Sequence, residues 1–315
     1  MVNTRKVAIV GCGFVGASIA FTLMQRGYYS EMVLIDAVRP KAEGEAMDLS
    51  DGLPYANAMT ITAGDYKDAE DASLIIITAG AAQKPGETRL DLVAKNTRIM
   101  ASIINDIKST AFEGILLIVS NPVDVLTHEA LRLSGYPENK VIGSGTVLDT
   151  ARLKDDISEH LKVDATNVHT MIIGEHGDSE VPVWSVTNIA GVPLNDFCEL
   201  RGHKNHKEAM QKIYEDVRDS AYKIIERKGA TYYGVAMAVT RIVRCLARDE
   251  HAVLPISVPL HGQYGIDGVH LSIPTVLGKN GIETVLEMPL NGSEQVALIK
   301  SADALKAIIA EVEKT

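Results

Sequence analysis

Three polar side chains in this sequence have the chemistry to hold a small carboxylate and to move a proton beside it. Asp149 and Arg152 stand three residues apart, so on a helix they share one face. His176 lies in the run Gly174-Glu175-His176-Gly177-Asp178, at the end of an expected strand. A guanidinium pairs with a carboxylate through two parallel hydrogen bonds. An imidazole titrates near neutral pH, and a neighbouring carboxylate can orient it. The set therefore predicts a carboxylate clamp, a proton carrier and its orienting acid.

Each of these residues also has a purely structural interpretation. Asp149 and Arg152 could form a surface ion pair, which contributes little to stability. His176 could be a hydrogen-bonded histidine near a turn. Arg89, in the Pro-Gly-centred segment Gln83–Leu90, could be a solvated charge on a loop. Their combination beside a cofactor site decides between these alternatives.

A glycine-rich turn near the N-terminus predicts that cofactor site. Gly11-Cys12-Gly13-Phe14-Val15-Gly16 fits GxGxxG, follows an expected strand and opens an expected helix. Gly11 would make the tight turn, Gly13 would leave room for a pyrophosphate, and Gly16 would allow close packing of the helix. The free N–H groups of the helix N-terminus would meet the phosphate charge. The alternative is a glycine-rich turn that binds nothing.

Asp36 follows Gly16 by twenty residues, at the end of the second expected strand. Its carboxylate can accept hydrogen bonds from both ribose hydroxyls and would repel a 2′-phosphate. The sequence therefore predicts NAD rather than NADP. Beside such a site, Asp149, Arg152, His176 and Arg89 are the set needed to move a hydride between nicotinamide and a 2-oxo or 2-hydroxy acid.

The elements that must position these residues alternate along the first half of the chain. Continuous apolar runs predict strands buried on both faces; they are Lys6–Val10, Met32–Asp36, Leu74–Ala79, Ile115–Ser120 and Lys140–Ile142. Helix-length segments such as Phe14–Arg26 and Asp91–Lys108 lie between several of them. This is the pattern of an α/β, Rossmann-type parallel sheet with crossover helices.

The pattern changes after Asp149, and we expect a second, mixed α/β domain. Expected elements are a helix at Asp149–His160, a strand pair near Val168–Ile173, helices at Lys207–Arg227 and Tyr233–Ala247, strands at Val253–Val258, Val269–Pro274 and Glu283–Met288, and a last helix from an N-cap at Ser293 to about Glu313. We place the NAD-binding domain at residues 1–145 and the substrate-binding domain at 146–315.

Composition narrows the class of protein. The chain has 315 residues, which suggests two domains, and a formal charge of −10, which argues against a nucleic-acid binder. No apolar run is long enough to span a membrane. Three scattered cysteines predict neither a disulfide framework nor a zinc site, and we expect no metal and a cytoplasmic location. Cys12 could be a reactive thiol beside a helix N-terminus or simply a small residue in a tight turn.

Over nearly its whole length the sequence resembles the L-lactate/malate dehydrogenase family and is most similar to the bacterial L-lactate dehydrogenases. The motifs that carry the resemblance are Gly11–Gly16, Gln83–Leu90, Ser120-Asn121-Pro122, Leu148–Arg152, Gly174–Asp178 and Lys228-Gly229-Ala230-Thr231. The resemblance implies a Rossmann domain followed by a mixed α/β domain, NAD as cofactor, cytoplasmic pyruvate fermentation to lactate in glycolysis, and a homotetramer or, less often, a dimer.

The resemblance also implies a role for each matching residue. His176 would be the acid in pyruvate reduction and the base in lactate oxidation, with Asp149 orienting its ring. Arg152 would hold the substrate carboxylate, and Arg89 would close over the substrate and polarise its carbonyl. Further implied roles are a contact of Asn121 with the substrate oxygen or the nicotinamide end, a cis Asn121-Pro122 peptide, Thr231 in the substrate pocket and Val235 against the nicotinamide.

Gln83 bears on the choice of substrate. In malate-specific relatives the matching position is an arginine that pairs with the second carboxylate of oxaloacetate. The neutral Gln83 would leave such a carboxylate buried and unpaired, which is costly. We therefore expect pyruvate and L-lactate, with malate or a broader range of 2-hydroxy acids as the alternative.

Two positions depart from the pattern of relatives that fructose 1,6-bisphosphate activates. Those relatives have an arginine two residues after the substrate-binding arginine and a histidine two residues after the Trp of a Val-Pro-Val-Trp-like segment. Here the positions are Lys154 and Val186. Lysine lacks the bidentate fork and valine has no donor, so we expect no strong activation.

Two other classes of protein compete with this interpretation. An NAD-dependent glycosidase on a related fold would need a metal site, which the sequence does not predict. A non-catalytic NAD-binding module would be expected to have lost some of Arg89, Asp149, Arg152 and His176, and all four are present.

Overall fold

The N-terminal half is built on a buried parallel sheet. The computed structural model describes residues 2–81, 89–203, 205–312 and 314. In its first half the strands lie in the order β6-β5-β4-β1-β2-β3, and all of them are parallel. Their bounds are β1 Asn3–Val10, β2 Glu31–Ile35, β3 Thr60–Ala63, β4 Ala72–Ile77, β5 Ile115–Ile118 and β6 Val141–Gly143. This strand order is that of a Rossmann sheet, with a reversal point between β1 and β4.

Helices cover both faces of this sheet. They are α1 Phe14–Arg26, α2 Arg39–Gly52, α3 Arg89–Lys108, α4 Val123–Ser134 and α5 Val147–Leu161. Alternate strand residues enter opposite cores: Ile76 belongs to one apolar cluster, and its neighbours Ile75 and Ile77 belong to another. Because both faces are covered, the strands read as uninterrupted apolar runs in the sequence.

The second half adds small sheets, helices and three long antiparallel strands. Its elements are β7 Val168–His169, β8 Ile172–Ile173, β9 Val181–Pro182, β10 Asn188–Ile189, β11 Val192–Pro193, α6 Leu194–Leu200, α7 His206–Lys228, α8 Tyr233–Arg248, β12 Ala252–His261, β13 Asp267–Gly278, β14 Gly281–Val285 and α9 Gly292–Val312. Strand β12 pairs with β6 at Ser257 and Gly143. Strands β1–β6 and β12–β14 therefore form one nine-stranded sheet, which connects the second half to the end of the Rossmann sheet.

Most expected elements are present, and the α/β class with its Rossmann sheet is confirmed. Helix α1 has the expected bounds. The strand pair expected near Val168–Ile173 is wrong: β7 pairs with β10, and β8 pairs with β9. The partners of these short strands lie after the loop that carries His176, where periodicity gave no indication of them. No described helix has the length and apolar character needed to cross a membrane.

The N-cap expected at Ser293 is also wrong, because helix α9 begins at Gly292. The oxygen Oδ1 of Asn291 accepts a hydrogen bond from the Glu294 N–H at 2.9 Å, and Glu294 Oε2 accepts one from the Asn291 N–H at 3.0 Å. This reciprocal pair is a capping box. The buried Glu294 also accepts hydrogen bonds from the Ser185 N–H and hydroxyl, at 2.9 and 2.5 Å.

We expect Glu294→Ala to lower the free energy of unfolding by about 2–3 kcal/mol, because it removes the cap and leaves buried donors unpaired. Urea denaturation followed by circular dichroism measures the change. Glu311→Ala, an exposed acid on the same helix, is the control and should shift stability by about 0.5 kcal/mol or less. Equal effects of the two substitutions would contradict the role of Glu294.

Candidate active site

The Asp149 carboxylate joins the two functional side chains predicted in the second half. Asp149 lies in the first turn of α5, with only 4% of its side chain exposed. Its Oδ2 is 2.5 Å from Nδ1 of His176, and its Oδ1 accepts a hydrogen bond from Nη1 of Arg152 at 3.0 Å. One turn of helix thus places the acid and the guanidinium on one face, and the loop after β8 brings His176 to them.

The charges in this group act on one another. Burial lowers the pKa of His176, but the adjacent Asp149 carboxylate outweighs burial and raises it to about 9. Burial raises the pKa of Asp149, but His176 and Arg152 hold it below its usual range. The arrangement therefore favours an ionised Asp149 beside a protonated His176. Since Nδ1 faces Asp149, the other ring nitrogen, Nε2, is left to exchange a proton.

A second buried acid fixes the backbone of His176. The Oδ2 of Asp124, on α4, accepts a hydrogen bond from the His176 N–H at 2.8 Å, and its Oδ1 accepts one from the Ser257 hydroxyl at 2.6 Å. Asp124 is 2% exposed, and burial raises its pKa to about 6 although Ser257 and His176 oppose the shift. The loop that carries His176 is therefore connected to both halves of the molecule: to α4 through Asp124, and to β12 through the contact of Asp124 with Ser257.

Helix α9 supports the same loop from the other side. Gly174 has a φ of +92°, and a Cβ there would come within 2.9 Å of the Ser301 hydroxyl. That hydroxyl accepts a hydrogen bond from the Glu175 N–H at 2.8 Å. The glycine lets the chain turn sharply between β8 and His176 while it packs against α9.

A cavity of about 650 Å³ opens beside Arg152 and has both Thr231 and Val235 in its wall. Leu148 and Tyr232 also line it. Arg152 has 17% of its side chain exposed, so the guanidinium reaches the cavity while it remains paired with Asp149. A guanidinium has five N–H donors, so donors remain for a second carboxylate.

Asn121 lies at the opposite side of the site, in the turn before α4. The Asn121-Pro122 peptide is cis, as the family resemblance implied. The buried Asn96 of α3 donates a hydrogen bond to the Asn121 carbonyl at 2.8 Å and accepts one from the Ala81 N–H at 2.8 Å. Asn96 therefore connects this turn to the start of the segment that contains Gln83 and Arg89.

The two residues expected on that segment are only partly covered by the structure. Gln83 lies outside the described residues. Arg89 is the first residue of α3, and its side chain lies outside the description.

The glycine-rich turn has the geometry that a dinucleotide requires. Gly11 has a φ of +98°, and a Cβ on Gly16 would collide with the Gly11 carbonyl, so neither position accepts a side chain. A Cβ on Gly13 would meet no described atom within 4 Å, so this side of the turn is open. The first N–H groups of α1 face that opening without intrahelical partners. An anionic pyrophosphate therefore fits here.

Asp36 is held by the same turn. Its Oδ2 accepts a hydrogen bond from the Cys12 N–H at 2.8 Å, and its Oδ1 accepts one from the Val38 N–H at 2.9 Å. Each oxygen keeps lone pairs for further donors, such as ribose hydroxyls. The carboxylate borders a cavity of about 830 Å³ that Gly11 and Gly13 also line. These residues fit the adenosine half of NAD.

The other residues predicted in the glycine-rich turn have structural contacts. Phe14 is exposed and stacks on Tyr232 with ring centroids 5.3 Å apart, and Val15 packs against the main core. Burial, with Asp36 nearby, raises the pKa of Cys12 to about 12. The structure thus favours the small-residue interpretation of Cys12 over a reactive thiol.

Lys154 and Val186 are the two positions considered for a bisphosphate site. Burial, aided by the charge of Arg241, lowers the pKa of Lys154. Val186 is partly buried against the main core.

One group of side chains among the described residues has ligand atoms close enough for a metal ion: Asp249, His251 and Glu283. Here His251 Nδ1 is 2.8 Å from Glu283 Oε2, and Lys279 Nζ is 3.1 Å from Asp249 Oδ2. Lys279 pairs with one of these carboxylates, and His251 hydrogen-bonds to the other.

Sequence reasoning missed the residues that position the site. Asp124 could have been noticed as the one acid in the apolar run Val123-Asp124-Val125-Leu126, since a buried acid needs partners. Asn96, Ser257 and Ser301 lie in ordinary helix or strand patterns. Nothing in their local sequence indicates that they contact the loop that carries His176 or the residues packed against it.

Comparison with known proteins assigns the class. Residues 5–143 match the NAD binding domain of the lactate/malate dehydrogenase family, and residues 146–315 match its alpha/beta C-terminal domain. The chain therefore belongs to the lactate/malate dehydrogenase family and is an NAD-dependent oxidoreductase.

Among its relatives is the L-lactate dehydrogenase of Acetivibrio thermocellus, which is 53% identical over 305 residues, covering 97% of this chain and 96% of the relative. L-lactate dehydrogenase 1 of Clostridium acetobutylicum is 50% identical over 306 residues, covering 97% and 98%. A crystal structure of a lactate dehydrogenase enzyme from a Medee basin deep-sea metagenome library has a TM-score of 0.96 at 45% identity, covering 99% of this chain and all of that one. The ligand-bound minor L-lactate dehydrogenase of Enterococcus mundtii has a TM-score of 0.95 at 42% identity, covering 98% and 99%.

The contact between Asp124 and the His176 backbone predicts a measurable local effect. Asp124→Asn leaves too few acceptors for two buried donors, so we expect stability to fall by about 1–3 kcal/mol. We also expect the His176 amide to exchange hydrogen about tenfold faster or more, because the loop opens more easily. Ser257→Ala removes only the other contact of Asp124. We expect it to lower the free energy of unfolding by about 1 kcal/mol. The His176 amide should exchange hydrogen more slowly in Ser257→Ala than in Asp124→Asn. Unchanged exchange in Asp124→Asn would contradict the proposed anchor.

Proposed function

We propose that this chain is an L-lactate dehydrogenase, which catalyses the reversible NADH-dependent reduction of pyruvate to L-lactate. The observation that carries the proposal is the single buried carboxylate of Asp149, shared by His176 at 2.5 Å and by Arg152 at 3.0 Å. Relatives about half identical over nearly the whole chain bear that name, which supports the proposal.

In the proposed reaction, Arg152 binds the substrate carboxylate through its remaining N–H donors. Nε2 of His176 donates a proton to the carbonyl oxygen during reduction and takes it back during oxidation. Asp149 fixes the tautomer of the ring and stabilises its protonated form. When bound, the nicotinamide ring supplies or accepts the hydride.

The remaining predicted residues complete the site. Thr231 and Val235 line the cavity beside Arg152, where the substrate and the nicotinamide would meet. We propose that Arg89 polarises the reacting carbonyl and that Asn121 contacts the substrate oxygen or the nicotinamide end. Gln83 selects against a second carboxylate.

Cofactor binding is assigned to the first half of the chain. Gly11, Gly13, Phe14, Val15 and Gly16 form the turn that receives the pyrophosphate, with Asn121 and Val235 at the nicotinamide end. Asp36 accepts the ribose hydroxyls and favours NAD over NADP. We propose residues 1–145 as the cofactor-binding domain and 146–315 as the substrate-binding domain.

We further propose that the protein is a homotetramer. We also propose that it acts in the cytoplasm, where it reduces pyruvate to lactate as the last step of fermentative glycolysis. Exposed apolar side chains on α1 and α8 support self-association: Phe21, Tyr233 and Met237 are 51%, 68% and 50% exposed and border one groove with Phe14. Lys154 and Val186 give a bisphosphate no bidentate pair, so we propose no strong activation by fructose 1,6-bisphosphate.

The substrate assignment predicts a change of preference on one substitution. NADH oxidation should be fast with pyruvate and slow with oxaloacetate. Gln83→Arg should move the ratio of kcat/KM values towards oxaloacetate by about two to three orders of magnitude, because it supplies a partner for the second carboxylate. Gln83→Met is the control: it adds no charge and should leave oxaloacetate the poorer substrate. Preference for oxaloacetate in the unsubstituted enzyme would favour the malate alternative. Turnover of neither substrate would favour a non-catalytic NAD-binding protein.

A further inference from the structure

A third buried acid, which the mechanism above does not use, lies four residues beyond His176. Glu180 is 5% exposed and directly precedes β9. Its Oε1 is buried and has no hydrogen-bond partner among the described residues. An ionised carboxylate in such a place is costly, so the position favours an uncharged group.

The backbone of Glu180 is fixed on two sides. Its N–H donates a hydrogen bond to the Gly177 carbonyl at 3.2 Å, and its carbonyl accepts one from the Tyr214 hydroxyl of α7 at 2.7 Å. The backbone of Glu180 is therefore held next to the loop that carries His176.

The charged groups that face Glu180 come from three elements. They are Asp149 and Arg152 on α5, His176 on the catalytic loop, and Arg218 on α7. The guanidinium of Arg218 is already paired with Asp219, at 2.9 Å. Burial raises the pKa of Glu180 to about 8, with Asp149 adding to the shift and His176 and Arg152 opposing it.

The charge balance of the site then depends on Glu180. With Glu180 neutral, the charges of Asp149, Arg152 and His176 sum to zero, or to +1 when His176 is protonated; the nearby Asp124 adds one negative charge when it is ionised. With Glu180 ionised, the net charge falls by one, and the attraction of the site for the carboxylate of an incoming substrate weakens.

We propose that Glu180 is a positioning residue held in its uncharged form, so that Arg152 keeps its attraction for the substrate carboxylate. The inference rests on the proposed function, because it assigns Arg152 to substrate binding. Ionisation of Glu180 at alkaline pH adds a second negative charge next to Asp149 and weakens substrate binding without removing any catalytic group.

The test is the KM for L-lactate at saturating NAD⁺, measured from about pH 6.5 to about pH 9.5 for the wild type and for Glu180→Gln. Because the Glu180 charge also raises the pKa of His176, the titration of the His176 ring is followed by NMR in both enzymes, and the ratio of their KM values is compared at equal protonation of His176. We expect a ratio near one at the acidic end and about tenfold tighter binding by the variant at the alkaline end. The KM for NAD⁺ should stay the same in both enzymes.

Glu215→Gln is the matched control. Glu215 is an exposed acid on α7, one residue from Tyr214, and its substitution makes the same change of charge at the surface. Its KM ratio to the wild type should stay near one throughout the range. A fall in this ratio at the alkaline end equal to that of Glu180→Gln would assign the effect to overall charge and overturn the proposal.

Other outcomes also decide the question. A constant ratio for Glu180→Gln, or loss of lactate binding at the acidic end, would overturn the proposal. If Glu180→Gln does not fold, the KM comparison is replaced by infrared difference spectra of the wild type, recorded between the two pH limits. The absence of a protonated-carboxyl band at the acidic end would contradict a neutral Glu180. Failure of the proposed function looks different, because then neither enzyme oxidises L-lactate at any pH.

Discussion

The site depends on one buried carboxylate that serves two cations. Asp149 gives one oxygen to His176 and the other to Arg152, and both contacts are made in a place where water has little access. An unpaired carboxylate there would be costly, so the acid, the imidazole and the guanidinium stabilise one another. The same pairing raises the pKa of His176 and fixes the distance between its imidazole and the Arg152 guanidinium.

The rest of the fold brings these groups together from distant parts of the chain. Strand β6 ends at Gly143, and α5 starts four residues later, which places Asp149 at the carboxyl edge of the parallel sheet. Ligands bind at this edge in open α/β sheets. The pairing of β12 with β6 brings Ser257 to Asp124, and Asp124 in turn holds the backbone of His176. The parallel sheet and the loop that carries His176 are therefore parts of one hydrogen-bonded structure.

Local chemistry in the sequence pointed to Asp149, Arg152, His176 and the glycine-rich turn with Asp36, and the family resemblance implied Asn121, Thr231 and Val235. The tertiary contacts around these residues could not be predicted from the sequence. The spacing of Asp149 and Arg152 requires only a helix, and Gly11–Gly16 with Asp36 requires only one βαβ unit. The buried strands followed from uninterrupted apolar runs. The sequence could not predict the partners of the two-residue strands β7 and β8, because long-range packing around the loop that carries His176 determines them. Asn96, Ser301 and Glu180 act through neighbours far away in sequence, and a single chain without its fold gives no measure of those distances.

The most direct test of the account is the titration of the His176 ring, followed by NMR of ¹³C-labelled histidine, with the His176→Gln spectrum to assign the signal. The account predicts a pKa near 9 in the wild type and in Glu159→Gln, which changes an exposed acid on the same helix. In Asp149→Asn the pKa should fall well below 9, because burial remains and the largest charge that opposes it is gone. A His176 pKa that is the same with and without the Asp149 charge would contradict the account.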